Sequence, residues 1–291
     1  MKKQKILVIG ADGFLGKTLM KELLKQHDVI GTYYKEKIND FIELDLNNHL
    51  LLEKTLNGVS PEIIVLAAAE TNIDLYETNN KISLNQISSA NKIVKWCNKN
   101  NSLLVFFSTD FVFDGTNNNY KETDATNPIS VYGKNKLDIE KIIQKLENHL
   151  ILRLSFLYGL PLSSDKFVGR TILKLLEGEK VSAVTDWKRN PTLTKDVAFV
   201  LISLIEKKQT GLFHVVGSSS VSPFEAALAI AKEFDVSSSL IKKIKGEELN
   251  LSAKRPLNSS LSISKLVSKG IQMSPFEQGL KFIHKNMEKK I

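Results

Sequence analysis

A chain of 291 residues, 42% hydrophobic and 25% charged, has room for one large domain or a two-lobed enzyme with a sizeable core. The net charge of +8 comes mainly from scattered lysines, with only Arg153, Arg170, Arg189 and Arg255 as arginines, and no basic stripe interleaved with aromatics points to nucleic acid. One cysteine (Cys97), five histidines far apart in sequence and no apolar run near the roughly 20 residues that span a bilayer exclude an intrachain disulfide, and argue against a metal site and a membrane span; a reducing cytoplasm fits.

In chain order, the first half alternates short apolar runs with helical patterns, which marks βαβ units and a parallel sheet. Residues 5–9 read as a buried strand, and Leu15, Leu19 and Leu23 as one face of the helix that follows. Between them Gly10, Gly13 and Gly16 form a G-x-x-G-x-x-G turn. Glycines there permit a tight turn and close approach of a pyrophosphate, and the helix start offers free N–H groups and a positive dipole. Residues 29–33 read as the second strand. Its end, Thr32 to Lys35, carries no acid for a ribose 2′-hydroxyl but has a cation for a 2′-phosphate, so NADPH is expected over NADH. Residues 41–44 read as a third strand, placing Asp45 and Leu46 at the adenine edge. A helix over 48–56 and a strand over 62–66 lead to Ala67, Ala68 and Ala69, small enough for a cofactor to pass close.

Next come a helix over 78–100 and a strand over 103–107, with Ser108, Thr109 and Asp110 at its carboxyl end, the edge that faces the ligand crevice in an open α/β sheet. A hydroxyl there can hold a substrate carbonyl for hydride attack. An Asn- and Thr-rich loop over 116–127 precedes a helix over 131–146 that begins with Tyr132 and Lys136. Spacing i, i+4 puts phenol and ammonium on one face. A phenol titrates near pH 10 and needs such a neighbour to exchange protons readily. After a strand over 149–154 the pattern becomes more helical, at 166–177, 195–207, 222–234, 264–269 and 275–289, with a strand over 211–216. The expected fold is α/β: a Rossmann-type doubly wound parallel sheet over 1–159, then a smaller, more helical lobe over 160–291 with segments returning to the sheet, the ligand cleft lying between.

The glycine turn, Thr109 and Tyr132-x-x-x-Lys136 together resemble the extended short-chain dehydrogenase/reductases. The run from Phe107 to Gly115, then Tyr120 to Asp124, Pro128 and Val131 to Leu137, resembles the dTDP-4-dehydrorhamnose reductases more narrowly. Segments Ala67–Asp74, Asn190–Thr192 with Asp196, Gly211–His214 and Arg255–Ser259 extend the likeness over nearly the whole chain. The resemblance implies hydride delivery from NADPH or NADH to C4 of a nucleotide-linked 4-keto-6-deoxy sugar. Thr109 would orient the ketone, Tyr132 would act as general acid, and Lys136 would bind the nicotinamide ribose and lower the tyrosine pKa. It also implies cofactor contacts from Asp12, Phe14, Leu15 and Asn85, and a substrate pocket of Thr71, Asp110, Phe111, Phe156, Asn190 and Thr192, with Arg255 on the pyrophosphate. The partner expected is the nucleotide-sugar substrate; a homodimer is compatible.

Five positions in three segments depart from the reductase pattern: Phe156 and Leu157 stand where Trp-Val is usual, Leu75 where a lysine is, and Trp187 and Arg189 where Gln and Gly are. They bear on the sugar and not on the redox chemistry. Two alternatives stay open. One is a nucleotide-sugar epimerase or dehydratase on the same scaffold. The other is a non-catalytic regulatory subunit resembling the β subunit of methionine adenosyltransferase, which shares much of the pattern, including a tryptophan like Trp187.

Overall fold

The structure, a computed structural model, describes residues 3–287. The apolar runs become buried strands. β1 (Lys5–Ile9) is followed by α1 (Phe14–Leu23), which buries Leu15, Leu19 and Leu23, and by β2 (Asp28–Tyr33) and a two-residue β3 (Ile42–Glu43). The Asn48 side chain accepts the Leu51 N–H and so caps α2 (His49–Val59), which leads to β4 (Ile63–Leu66). Two helices follow, α3 (Ile73–Thr78) and α4 (Asn80–Asn100), then β5 (Leu103–Thr109), α5 (Val131–Ile143) and β6 (His149–Leu154). All pairings in the main sheet are parallel and its order is β3-β2-β1-β4-β5-β6, extended by a later strand, β10 (Gly211–His214), on β6. This is the Rossmann-type doubly wound sheet.

Alternation along the strands divides the core between the two faces. Val105 and Phe107 pack with Leu15, Leu19 and Leu201, while Leu104 and Phe106 pack with Leu52, Ile93 and Ile139. The strand order reverses between β1 and β4, and the crevice outside their carboxyl ends is where such sheets bind ligands.

After β6 the chain forms β7 (Leu157–Tyr158), α6 (Phe167–Leu176), β8 (Val181–Val184), β9 (Thr192–Leu193) and α7 (Thr194–Glu206). Beyond β10 lie α8 (Pro223–Glu233), opened by a Ser222–Glu225 capping box, β11 (Ile241–Ile244), α9 (Ser264–Ser268) and α10 (Phe276–Met287). β7 pairs β9 and β8 pairs β11, each in parallel. These elements enclose a third cluster around Tyr158, Ile172, Ile230, Phe276 and Ile283. α7 packs on α1, and β10 joins the main sheet, so this half of the chain crosses back to the first. Among the described residues no helix is long and apolar enough to cross a membrane.

The helix expected over 78–100 begins at Asn80, because Asn79 leaves helical geometry (φ −136°, ψ 86°) and its side chain caps the Lys81 N–H, while α3 before it had no counterpart in the sequence reading. The helix expected over 131–146 stops at Ile143, the strand over 211–216 stops at His214, and the third strand shrinks to two residues. Residues 288 and 289 of the last expected helix lie outside the described residues. β7, β8, β9 and β11 had no counterpart in the sequence reading, since two to four residues show no period. The 116–127 loop is tied by Asp114, which accepts from the Thr116 N–H (3.0 Å) and hydroxyl (2.8 Å), Asn127 Nδ2 (2.9 Å) and Tyr120 Oη (2.8 Å). These bonds, the Thr116 N–H first, hold its carboxyl far below the usual range.

Candidate active site

At the β1–α1 turn Gly10 adopts φ +85°, and a Cβ there would collide with the Ala68 backbone at the end of β4. The bare turn thus lets two strand ends meet at the topological switch. Gly13 is the N-cap of α1, no side chain caps that helix, and its first turn carries no acid. The helix start keeps its N–H groups and dipole for an anion. Gly16 and Leu15 are buried beneath the turn, and Phe14 stands at its rim with Lys166 Nζ 5.9 Å from its ring.

Two residues expected on the cofactor instead brace this turn. Thr32 is buried and its hydroxyl accepts the Gly10 N–H at 3.1 Å. Asp12 accepts the Tyr34 N–H at 3.1 Å. Both bonds tie the turn to the end of β2, so these side chains shape the cradle. Lys35 is exposed just past β2. Asp45 accepts the Asn47 N–H at 2.8 Å, closing a turn, and the Leu46 carbonyl accepts from Ser89 at 2.8 Å. Ala67 and Ala68 are partly buried and Ala69 exposed, leading out of the crevice; Asn85 is exposed on α4 and Thr71 is exposed after β4.

Thr109 ends β5, and Tyr132 and Lys136 lie on the first turns of α5, whose start is capped by Ser130 accepting the Gly133 N–H at 3.1 Å. Gly133 sets the spacing: a Cβ there would collide with the Phe111 carbonyl oxygen, so only glycine lets α5 approach the single 3-10 turn over Asp110–Val112. Gly133→Ala should therefore cost about 1–3 kcal/mol of stability, seen as a lower urea midpoint. It should also lower turnover, since a displacement near 1 Å can cost about 10²-fold. Wild-type stability in that variant would mean that the helix can yield.

The Tyr132 ring is held edge-on by Tyr76 and Phe111, with centroids at 5.2 and 5.8 Å. Tyr76 is fully buried and donates to the Glu70 carbonyl at 3.0 Å; it had no place in the sequence reading. The Thr109 hydroxyl bonds Asp110 Oδ1 at 3.2 Å and accepts the Phe111 N–H at 3.2 Å. Lys136 is buried and donates to the Phe107 carbonyl at 3.1 Å, with Nζ 6.0 Å from the Tyr132 ring centroid.

Burial pushes the Tyr132 phenol up to about 12, against the opposing Thr109 hydroxyl. Desolvation dominates here, and the Lys136 ammonium is bonded to the Phe107 carbonyl. Burial pulls Lys136 down to about 8, with Glu140 acting in the opposite sense. Tyr132 therefore keeps its proton throughout the neutral range, as a donor must.

The expected sugar pocket is largely committed to the protein itself. Asp110 is 2% exposed; its Oδ2 accepts from Ser155 at 3.0 Å and from Ser259, and lies 3.5 Å from Arg189 Nη1. Arg189 also donates to Ser259 and to the Pro256 carbonyl (3.2 Å), and its guanidinium carbon stands 4.9 Å from the Phe111 ring and 5.4 Å from that of Trp187. Burial raises the Asp110 pKa, with Arg189 the chief opposing influence. Asp110 thus faces an internal network in this structure.

Asn190 and Thr192 are likewise bonded within the protein. Both are buried, and Asn190 donates to the carbonyls of Gly217 (3.0 Å) and Ser219 (3.1 Å) while accepting the Leu261 N–H (2.9 Å). Thr192 donates to the Asn190 carbonyl (2.9 Å) and accepts the Gly217 N–H (3.2 Å). They staple loops together. Phe156 is partly buried and stacks on Phe167 at 5.3 Å. Arg255, expected on a pyrophosphate, instead grips Asp74 through Nη2 (2.6 Å) and Nη1 (3.1 Å), a bond that holds the Asp74 carboxyl below its usual range.

A Rossmann-type sheet with a glycine turn at the switch point and a Thr–Tyr–Lys set at the neighbouring strand edge is the arrangement of the extended short-chain dehydrogenase/reductases. Within that class, the chain belongs to the RmlD substrate binding domain family, which matches residues 4–289. A dTDP-4-dehydrorhamnose reductase of Aggregatibacter actinomycetemcomitans is 32% identical, over 96% of this chain and 98% of its own length. Methionine adenosyltransferase 2 subunit beta of Pongo abelii is 33% identical, over 96% of this chain and 86% of its own. A crystal structure of the dTDP-4-dehydrorhamnose reductase of Bacillus anthracis in complex with NADP matches with a TM-score of 0.88 at 29% identity, covering 97% of this chain and all of that one.

Proposed function

We propose that the chain is an NAD(P)H-dependent reductase of a nucleotide-linked 4-keto-6-deoxy sugar. The observation that carries this reading is the convergence of Thr109, Tyr132 and Lys136 at the same carboxyl edge of the sheet as the uncapped α1 helix start, one strand removed, with burial raising the Tyr132 pKa so that the phenol keeps its proton. The cradle fits a dinucleotide: the glycine turn packs its backbone close against the end of β4, and the α1 N-terminus has no side chain of its own to satisfy it. When bound, the nicotinamide supplies a hydride to the ketone carbon. Thr109 can offer its hydroxyl proton to the ketone oxygen in competition with Asp110, and Tyr132 gives its proton to that oxygen as negative charge develops. Lys136 holds positive charge beneath the phenol and offers ammonium hydrogens to the cofactor ribose. The test is NADPH consumption over a panel of dTDP-, GDP- and UDP-linked 4-keto-6-deoxy sugars. Turnover of none would overturn the reading.

A second reading, a cofactor-binding regulatory subunit, draws on the likeness to methionine adenosyltransferase 2 subunit beta and on Arg189 and Trp187, which crowd the ground beside Phe111. It expects tight NADP binding without turnover and co-elution with a methionine adenosyltransferase catalytic chain.

Preference for NADPH rests on exposed Lys35 beyond β2. Lys35→Asp should weaken NADPH by about 5–30-fold and leave NADH little changed, with the effect shrinking as salt screens the 2′-phosphate. Fluorescence titration of both cofactors at two ionic strengths checks this. Parallel loss of both would mean damage to the fold near β2.

A further inference from the structure

The face of α5 that carries Tyr132 and Lys136 continues one turn deeper to Glu140, at i+8. Glu140 is 1% exposed and Arg153 on β6 is 3% exposed. The two form parallel bonds, Nε to Oε1 at 2.9 Å and Nη2 to Oε2 at 2.7 Å. Arg153 is held by its surroundings: its guanidinium carbon lies 5.1 Å from the Phe113 ring, and Nη1 is 3.4 Å from His214 Nε2. Burial, reinforced by the Arg153 charge, drives the His214 pKa down to about 3, so that ring stays neutral. Ser108, Arg153 and His214 are register neighbours on β5, β6 and β10, a polar row on one face of an otherwise apolar sheet. A buried ion pair of this kind is commonly no more stabilising than apolar side chains of the same volume. Its position suggests another role.

Lys136 has given up its hydration for one carbonyl, Phe107, and the rings of Phe106, 4.8 Å away, and Tyr132. An ammonium so enclosed tends to lose its proton unless a counter-charge lies nearby. Tyr132 on its own helix faces it, with its ring centroid 6.0 Å from Nζ; among the neighbouring elements, Asp110 follows β5, Tyr76 lies on α3, and Arg153 and His214 lie on β6 and β10. α4 meets α5 through the neutral pair Asn135 and Ser83, and Glu77 of α3 accepts the Val131 N–H at the helix start, 2.9 Å away. Of all these, Glu140 is the anion whose charge offsets the burial of Lys136.

We propose that Glu140, clamped by Arg153, is a positioning residue for Lys136, its carboxylate holding the ammonium charged and aligned beneath Tyr132. Arg153 in turn fixes the direction of the Glu140 carboxylate, so the pair acts through Lys136 and touches neither substrate nor cofactor. The functional meaning rests on the reductase reading above; the electrostatic role does not.

The test therefore reads Lys136 directly. In the full chain labelled with ¹³C,¹⁵N-lysine, the Cε and Nζ shifts lost in Lys136→Arg report its ionisation across pH. The wild-type midpoint is expected near pH 8. In Glu140→Gln it should fall by about one pH unit or more, a tenfold or greater loss of proton affinity. An unchanged midpoint in the folded variant overturns the proposal. Should Glu140→Gln fail to fold around an unpaired Arg153, the double variant Glu140→Leu, Arg153→Met removes both charges together. A smaller downward shift is then expected, because the Arg153 cation leaves with the anion, and an unchanged or raised midpoint overturns the role. NADPH affinity by fluorescence over the same pH range is the second arm, in which the loss of affinity at high pH should move down with the midpoint. A midpoint that moves in a protein that binds no NADPH at any pH upholds the Glu140 role and overturns the reductase reading.

Discussion

Tyr132→Phe is expected to lower ketone reduction by about 10²–10⁴-fold while leaving NADPH affinity nearly unchanged. The phenylalanine ring keeps the edge contacts with Tyr76 and Phe111 at 5.2 and 5.8 Å, so helix α5 has no reason to shift. What disappears is the one proton placed beside Thr109. Because burial pushes the phenol up to about 12, wild-type activity should not fall through loss of that proton anywhere near neutrality. The alkaline decline in wild type should instead follow Lys136, near pH 8. Steady-state assays and cofactor titrations from pH 6 to 9 check both statements. Wild-type turnover by the variant would remove Tyr132 from the chemistry.

Arg189→Met is expected to destabilise the protein by about 3–5 kcal/mol at neutral pH, the cost of leaving a buried charge without its partner. Asp110 is fully enclosed, and Arg189 is the chief influence opposing the rise in its pKa. Without the guanidinium, the folded-state pKa rises further above the unfolded carboxyl value. A group whose folded pKa is raised holds its stability contribution below the unfolded pKa and loses it as pH increases through the folded one. The gap between variant and wild type should therefore be widest at pH 7.5 and narrow toward pH 4. Adding Asp110→Asn to the variant should recover part of the loss at pH 7.5, since it removes the stranded charge. Urea unfolding at both pH values provides the measurement. An equal gap at both would place the cost in lost packing against Phe111 and Trp187, not in charge.

The glycine turn and the Tyr132–Lys136 pair were legible because each is local: strand, turn and helix follow one another within a dozen residues, and i, i+4 spacing defines a face whatever the helix packs on. The short α3 and the start of α4 at Asn80 were missed because their boundary rests on a single side chain, Asn79, capping the next helix. The β7–β9 and β8–β11 ladders were missed because strands this short gain their hydrogen bonds only from partners far along the chain. Gly133 left a trace in the Tyr-Gly-Lys run, and Arg189 and Trp187 stood out as departures, but neither trace said what the residue would touch.

By itself the sequence determined the doubly wound order of elements, the glycine turn between β1 and α1, and the residue types at the carboxyl edge of β5 and on α5. These follow from periodicity and from backbone demands that act over a few residues. Only the tertiary structure decided which polar side chains are available for a ligand and which are committed to the protein. Asp110 meets Arg189 across 79 positions, Arg255 meets Asp74 across 181, and Asn190 meets the Leu261 backbone across 71. Once buried, a charge or an amide must find a partner, and the partner is chosen by whatever the fold brings alongside, at no fixed spacing in the chain.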